Sequence, residues 1–194
     1  MEKKMKSSDK YDKQQEPSAL SEVLDFLKDL AICFAVVFFI TKVLVKPVQV
    51  KGESMYPTLQ DKEIGVSNMI GYHMSGLKRF DIAIIYIRDK NEYIVKRVIG
   101  LPGETVSYQS GQLYINGEPF DEPFLDEEYV STYGDSFMED VEPVTLAENE
   151  YYCLGDNRPH SSDSRYYGPF KKDEIECRGV FIIYPFSNFG AKTW

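Results

Sequence analysis

Beyond Pro47 the chain never keeps a helical apolar period for about 11 residues, the shortest window over which such a period is meaningful. What recurs instead are short β-branched and aromatic runs closed by glycine or proline. Pro47 to Gly52 alternates toward Ser54, and Phe80 to Ile87 is apolar and β-branched. Glu92 to Gly100 follows across Arg88-Asp89-Lys90-Asn91, which reads as a hairpin turn. Thr105 to Tyr108, Gln112 to Ile115 ahead of an Asn116-Gly117 turn, Tyr151 to Gly155 and Cys177 to Phe186 complete the series. The expected body, residues 47–194, is therefore all-β, with no internal repeat of useful length.

Charge and composition exclude several functions. The 194 residues carry 22 Lys plus Arg against 31 Asp plus Glu, a formal charge of -9. Without a long basic stretch there is no footprint for a phosphate backbone, so no nucleic-acid partner is expected. His73, His160, Cys33, Cys153 and Cys177 have no metal-ligand spacing and are too few for a disulfide framework, so neither a metal nor a cofactor is implied. Pairing of Cys153 with Cys177 stays open. Twelve acids and no Lys or Arg fall between residues 118 and 150, which reads as a solvated face or loop.

The N-terminal part differs in character. Residues 1–23 are mostly polar and read as a disordered cytoplasmic tail. Every residue from Leu30 to Ile40 is apolar, and with Leu24, Phe26, Leu27, Val43, Leu44 and Val45 the segment 24–46 approaches the roughly 20 residues that a bilayer core requires. The expectation is one transmembrane helix, retained because no small-residue cleavage site follows it. Lysines ahead of the segment outnumber those just after it, which places the N-terminus in the cytoplasm and residues 47–194 outside the plasma membrane.

Three groups on the β body carry chemistry. Ser54 lies in Gly52-Glu53-Ser54-Met55-Tyr56-Pro57-Thr58-Leu59, between a flexible glycine and a rigid proline, a turn that presents a hydroxyl and leaves backbone N–H groups free for an oxyanion. Alone, this is also ordinary turn chemistry. Lys96 interrupts an apolar strand, flanked on its own face by Ile94 and Val98. If that face is covered, desolvation lowers the pKa of the amine; if it is an edge, the lysine merely discourages sheet association. Gly155 to Arg165 is dense in local hydrogen-bonders, but His160, Ser161 and Asp163 are too close in sequence to converge as a Ser-His-Asp triad.

Taken together the three groups resemble the type I signal peptidase family, most closely its Gram-positive bacterial branch. The Gly-x-Ser-Met-x-Pro-Thr-Leu segment is Gly52 to Leu59, Lys-Arg-Val-x-Gly-x-Pro-Gly is Lys96 to Gly103, and Gly-Asp-Asn-Arg-x-x-Ser-x-Asp-Ser-Arg is Gly155 to Arg165. The resemblance implies a β-rich peptidase domain with a second lobe reduced to about residues 104–150 and carrying the acidic segment. It implies Ser54 as nucleophile, Lys96 as general base, Ser161 orienting the lysine, and Asp163 paired with Arg165 to hold the loop. The oxyanion falls to the backbone at Ser54 and Gly52, since Gly52 stands where the Gram-negative branch has a serine. Phe80 stands where the family commonly has glycine. The implied activity is removal of signal peptides from exported preproteins after small residues, at a membrane and near the secretion translocon. Val50, Met55, Leu59, Ile94 and Val95 are candidate walls of a shallow pocket, with substrate laid along strand edges near Gly52 and Asp81. A non-catalytic or specialised homologue acting in surface-protein assembly is the alternative. A Ser/Lys self-cleaving repressor would need a DNA-binding domain that the first 46 residues do not resemble.

Overall fold

The computed structural model describes residues 19–40 and 45–192. Most of the expected tail lies outside the described residues, and its last five residues open helix α1, Ala19–Phe39. The transmembrane expectation is corrected here: among the described residues no helix is long and apolar enough to cross a membrane. Glu22, Asp25, Lys28 and Asp29 all fall within α1. The uncharged remainder, Leu30 to Phe39, rises only about 15 Å, half of a ~30 Å hydrocarbon core. Val45, counted above as an extension of the span, is instead the first residue of a strand. The single-pass plasma-membrane placement, with its cytoplasmic N-terminus and extracytoplasmic body, loses its basis with the span.

The β body follows the strand pattern. In chain order it comprises β1 (Val45–Gln49), β2 (Ile64–Asn68), the short helix α2 (Met69–Ser75), β3 (Ile82–Ile87), β4 (Glu92–Gly100), β5 (Thr105–Gln109), β6 (Gln112–Ile115) and β7 (Glu118–Phe120). Then come helix α3 (Glu127–Ser131), β8 (Val141–Thr145), β9 (Glu150–Leu154), helix α4 (Ser164–Tyr167), β10 (Phe170–Lys171), β11 (Ile175–Tyr184) and β12 (Gly190–Lys192). The larger sheet runs β1-β2-β11-β3-β4-β9-β10, with β12 on β11, and the smaller β7-β6-β5-β8; every pair is antiparallel.

Burial explains the composition of the strands. β3 lies between β11 and β4, and five of its six residues are buried, so it reads as a continuous apolar run rather than an alternating one. One core packs Ala83, Ile85, Val98 and Cys153; another packs Val50, Met55, Leu59, Ile82 and Ile182. The smaller sheet closes a third around Val106, Leu113, Leu146 and Tyr152. Asn116 and Gly117 both have positive φ, the two-residue turn that joins β6 to β7. Five strands escaped the sequence pattern: β2, β7, β8, β10 and β12. β2 is short and half polar, and β8 contains Pro143, tolerated because β8 is a sheet edge. Cys153 and Cys177 are separate buried thiols, on β9 and β11 with two strands between them, out of disulfide reach. Most of the acids of 118–150 are exposed, but the Glu122 side chain is buried against Arg158.

Candidate active site

Ser54 sits on a turn that the core grips from below. Met55 and Leu59 are buried with Val50 and Ile82, and Leu59 N–H donates to Met55 C=O at 2.9 Å. Gly52 N–H donates to Asp61 Oδ1 at 2.8 Å, whereas among the described residues Ser54 N–H has no acceptor. The loop after β9 closes over the other side of the turn. Asn157 N–H donates to Ser54 C=O at 3.1 Å and Asn157 Nδ2 to Glu53 C=O at 3.0 Å. Gly155 is the point of closest approach: a Cβ there would lie 2.3 Å from Ser54 O and 2.2 Å from Ser161 Oγ.

Lys96 lies on the interior strand β4 and is 3% exposed. Its Nζ is 2.7 Å from Ser54 Oγ. Burial pushes its pKa down to about 8, against the opposing pull of the Asp163 and Asp156 carboxylates. The covered-face reading of Lys96 therefore holds over the edge-strand one, because Ile94 and Val98 beside it pack into the core between β3 and β9.

The loop from Gly155 to Arg165 is bound by buried charge. Asp163 accepts from Gly155 N–H (3.1 Å) and from Arg165 Nε (2.9 Å) and Nη2 (2.8 Å). Burial opposes ionisation of Asp163, but these donors outweigh it and hold the carboxyl below its usual range. Arg165 Nη2 also donates to Arg158 C=O at 2.7 Å. Ser161 Oγ is buried beside the Asp163 carboxylate without a hydrogen bond of regular geometry, and no hydrogen bond joins it to Lys96 among the described residues. Asp156 takes Arg97 Nε and Nη2 in a bidentate pair (2.8 and 2.6 Å), and Thr58 Oγ1 donates to it at 2.6 Å.

A cleft of about 570 Å³ leads to Ser54 and Lys96. Val50, Met55, Ile94 and Val95 line it; Leu59 does not, being wholly buried beneath the turn. Two strand edges border the cleft. Among the described residues β1 pairs only with β2, and β4 pairs with β9 only from Arg97 onward, which leaves one edge of Glu92 to Lys96 open there. Asp81, expected along the substrate path, is away from it: it is buried, and its carbonyl accepts from Val98 N–H at 2.9 Å.

The model of the family described as "Signal peptidase, peptidase S26" matches residues 23–184. The chain belongs to that family. Signal peptidase IB of Staphylococcus aureus (strain COL) is 36% identical over 178 residues, covering 87% of this chain and 93% of that protein. Signal peptidase I of Bacillus amyloliquefaciens is 38% identical over 178 residues, covering 90% and 95%. A crystal structure of a signal peptidase I from Enterococcus faecalis V583 matches with a TM-score of 0.48 and 36% identity, over 53% of this chain and 95% of that one. The protein is a signal peptidase I-like serine protease, with relatives in Gram-positive bacteria. In this chain the Phe80 departure has a clear structure. Phe80 has φ +69, the left-handed region that glycine enters freely, yet its ring is buried against Phe124 (4.8 Å) and its carbonyl accepts from Arg97 Nη1 at 2.8 Å. Core burial offsets the backbone strain. The contact of Glu122 with Arg158, inside the acidic stretch, was invisible in sequence, since composition marks that stretch as solvated. Asn157 stood inside a recognised motif but gave no sign of which groups it would bind.

Proposed function

We propose that the protein cleaves signal peptides from exported preproteins with Ser54 as nucleophile and Lys96 as general base. The observation that carries this reading is the 2.7 Å contact between a buried amine of lowered pKa and a turn-borne hydroxyl at the end of a cleft. The neutral Lys96 amine takes the Ser54 Oγ proton as the oxygen attacks the scissile carbonyl, and the resulting ammonium protonates the leaving amine. Water, activated by the same amine, then hydrolyses the acyl-enzyme. The developing oxyanion is served by Ser54 N–H, while Gly52 N–H is engaged by Asp61.

Specificity follows from the cleft. The substrate lies extended as an added strand against the open edges of β1 and β4, and the apolar walls Val50, Met55, Ile94 and Val95 admit only small side chains near the cut. Asp163 and Arg165 hold the loop over the dyad, and Ser161 packs beside it. Preproteins reach the enzyme as the translocon delivers them. The test is cleavage of a purified preprotein by the wild type, S54A and K96A, with the new N-terminus sequenced. Loss in both folded variants, with a cut after a small residue in the wild type, is the expected result; wild-type cleavage by either variant removes the dyad.

A further inference from the structure

If Ser54 N–H receives the oxyanion, something must aim it. A peptide unit is planar, so Glu53 C=O and Ser54 N–H are opposite edges of one rigid plate. Tyr56 N–H and Asn157 Nδ2 both donate to that carbonyl, each at 3.0 Å. Asn157 N–H holds the next plate through Ser54 C=O, at 3.1 Å. One buried residue thus fixes both peptide planes that flank the Ser54 Cα, and with them its backbone dihedrals.

An amide side chain works this way only with its nitrogen toward Glu53. Tyr129, on α3 of the smaller lobe, sets that orientation: its hydroxyl donates to Asn157 Oδ1 at 3.0 Å. The Tyr129 ring also meets the Tyr56 ring edge-on at 5.0 Å, bracing the nucleophile turn two residues past Ser54.

We propose that Asn157, locked by Tyr129, is the positioning residue that aims Ser54 N–H at the oxyanion, so that the acidic lobe is part of the active-site scaffold. The proposal rests on the reading of Ser54 as nucleophile. Y129F removes one hydroxyl and keeps the ring on Tyr56; N157A removes both side-chain bonds. A misaimed oxyanion donor lowers kcat rather than raising KM, so the expected losses are about 10-fold for Y129F and about 100-fold for N157A, at or below the lower end of the roughly 10²–10³ of outright donor removal. KM and the acidic limb of the pH profile should stay as in the wild type, because neither the cleft nor Lys96 is touched.

A second readout separates this proposal from the identity of the substrate. A small alkyl boronic acid forms a tetrahedral adduct on an activated serine, with an oxygen in the oxyanion position. Its affinity should fall in both variants by the same factors as kcat and vanish in S54A, while binding of an N-methylated, uncleavable peptide is unchanged. If the wild type binds the boronic acid but cleaves no preprotein, the signal-peptide reading falls and the boronate affinities of the variants decide the positioning role. If the wild type does neither, the nucleophile reading and the positioning role fall together. Unchanged kcat and boronate affinity in the variants, or a rise in KM at constant kcat, overturns the proposal. Should N157A fail to fold, as judged by circular dichroism, Y129F decides alone.

Discussion

Lys96 and Arg97 are consecutive residues on β4, both buried, and their cationic groups meet opposite surroundings. Arg97 is clasped in a bidentate pair by Asp156, while Lys96 makes no salt bridge among the described residues and has only the Ser54 hydroxyl at hydrogen-bonding distance. Burial of a cation is tolerated where a carboxylate meets it and drives off a proton where none does. Alternation along the strand sends the two side chains to opposite faces, one to Asp156 and the other to the Ser54 hydroxyl.

Activity should therefore follow deprotonation of Lys96. With a pKa of about 8, kcat/KM falls about tenfold for each pH unit below that value, as the neutral fraction shrinks. A pH–rate profile on a peptide substrate checks this; a flat acidic limb between pH 5 and about 8 contradicts it.

The same burial predicts a trade of stability for function. Lys96 has its pKa lowered from 10.5 to about 8, so below pH 8 the folded state carries a buried charge that the unfolded state leaves in water. The unfolded chain binds the extra proton between these values, so wild-type stability rises with pH across that window. K96M should be inactive yet more stable at pH 7 by about 1–3 kcal/mol, or about 2–12 °C in Tm, with the advantage fading toward pH 10.5. A melting series of both proteins from pH 7 to 10.5 tests the sign.

Asp163 is the strongest of the carboxylates that favour the charged form of Lys96. D163N removes that negative charge and leaves Arg165 uncompensated, both of which disfavour the ammonium. Its acidic limb should move to lower pH while maximal kcat declines through the loosened loop. Because the Asp163 pKa is depressed from 3.8, the stability it contributes is present above that value and lost as pH falls through its lower folded pKa. The wild-type advantage over D163N should accordingly be full at neutral pH and shrink in acid. An acidic limb displaced upward would refute the electrostatic role.

Phe80 sets two effects against each other. F80G relieves a left-handed backbone, worth about 1–2 kcal/mol, but removes a buried ring whose loss costs about 3–5 kcal/mol. The ring should win, for a net destabilisation of about 2–3 kcal/mol in urea denaturation, with Lys96 chemistry little changed. A stabilised F80G would mean that strain dominates at this position.

Local pattern was enough for the strands around Lys96. Phe80 to Gly100 reads as a hairpin because β-branched runs flank a polar turn, and β3 and β4 form it with Ala83 opposite Lys96. β8 was hidden by Pro143, and the apolar run ahead of Ile40 promised a span that the charges within α1 deny. Ser54, Lys96, Asp163 and Arg165 were named from ordered motifs, but spacing alone left Lys96 divided between an exposed edge and a covered face.

The residue types, their order and the strand period were determined by the sequence, since side-chain alternation and turn chemistry are local properties of the backbone. Whether Lys96 is dry, which carboxylate answers Arg97, and that Tyr129 reaches Asn157 across 28 positions were decided only by the tertiary structure. Desolvation and hydrogen-bond partnership depend on which distant segments close over a group, and no local pattern records that.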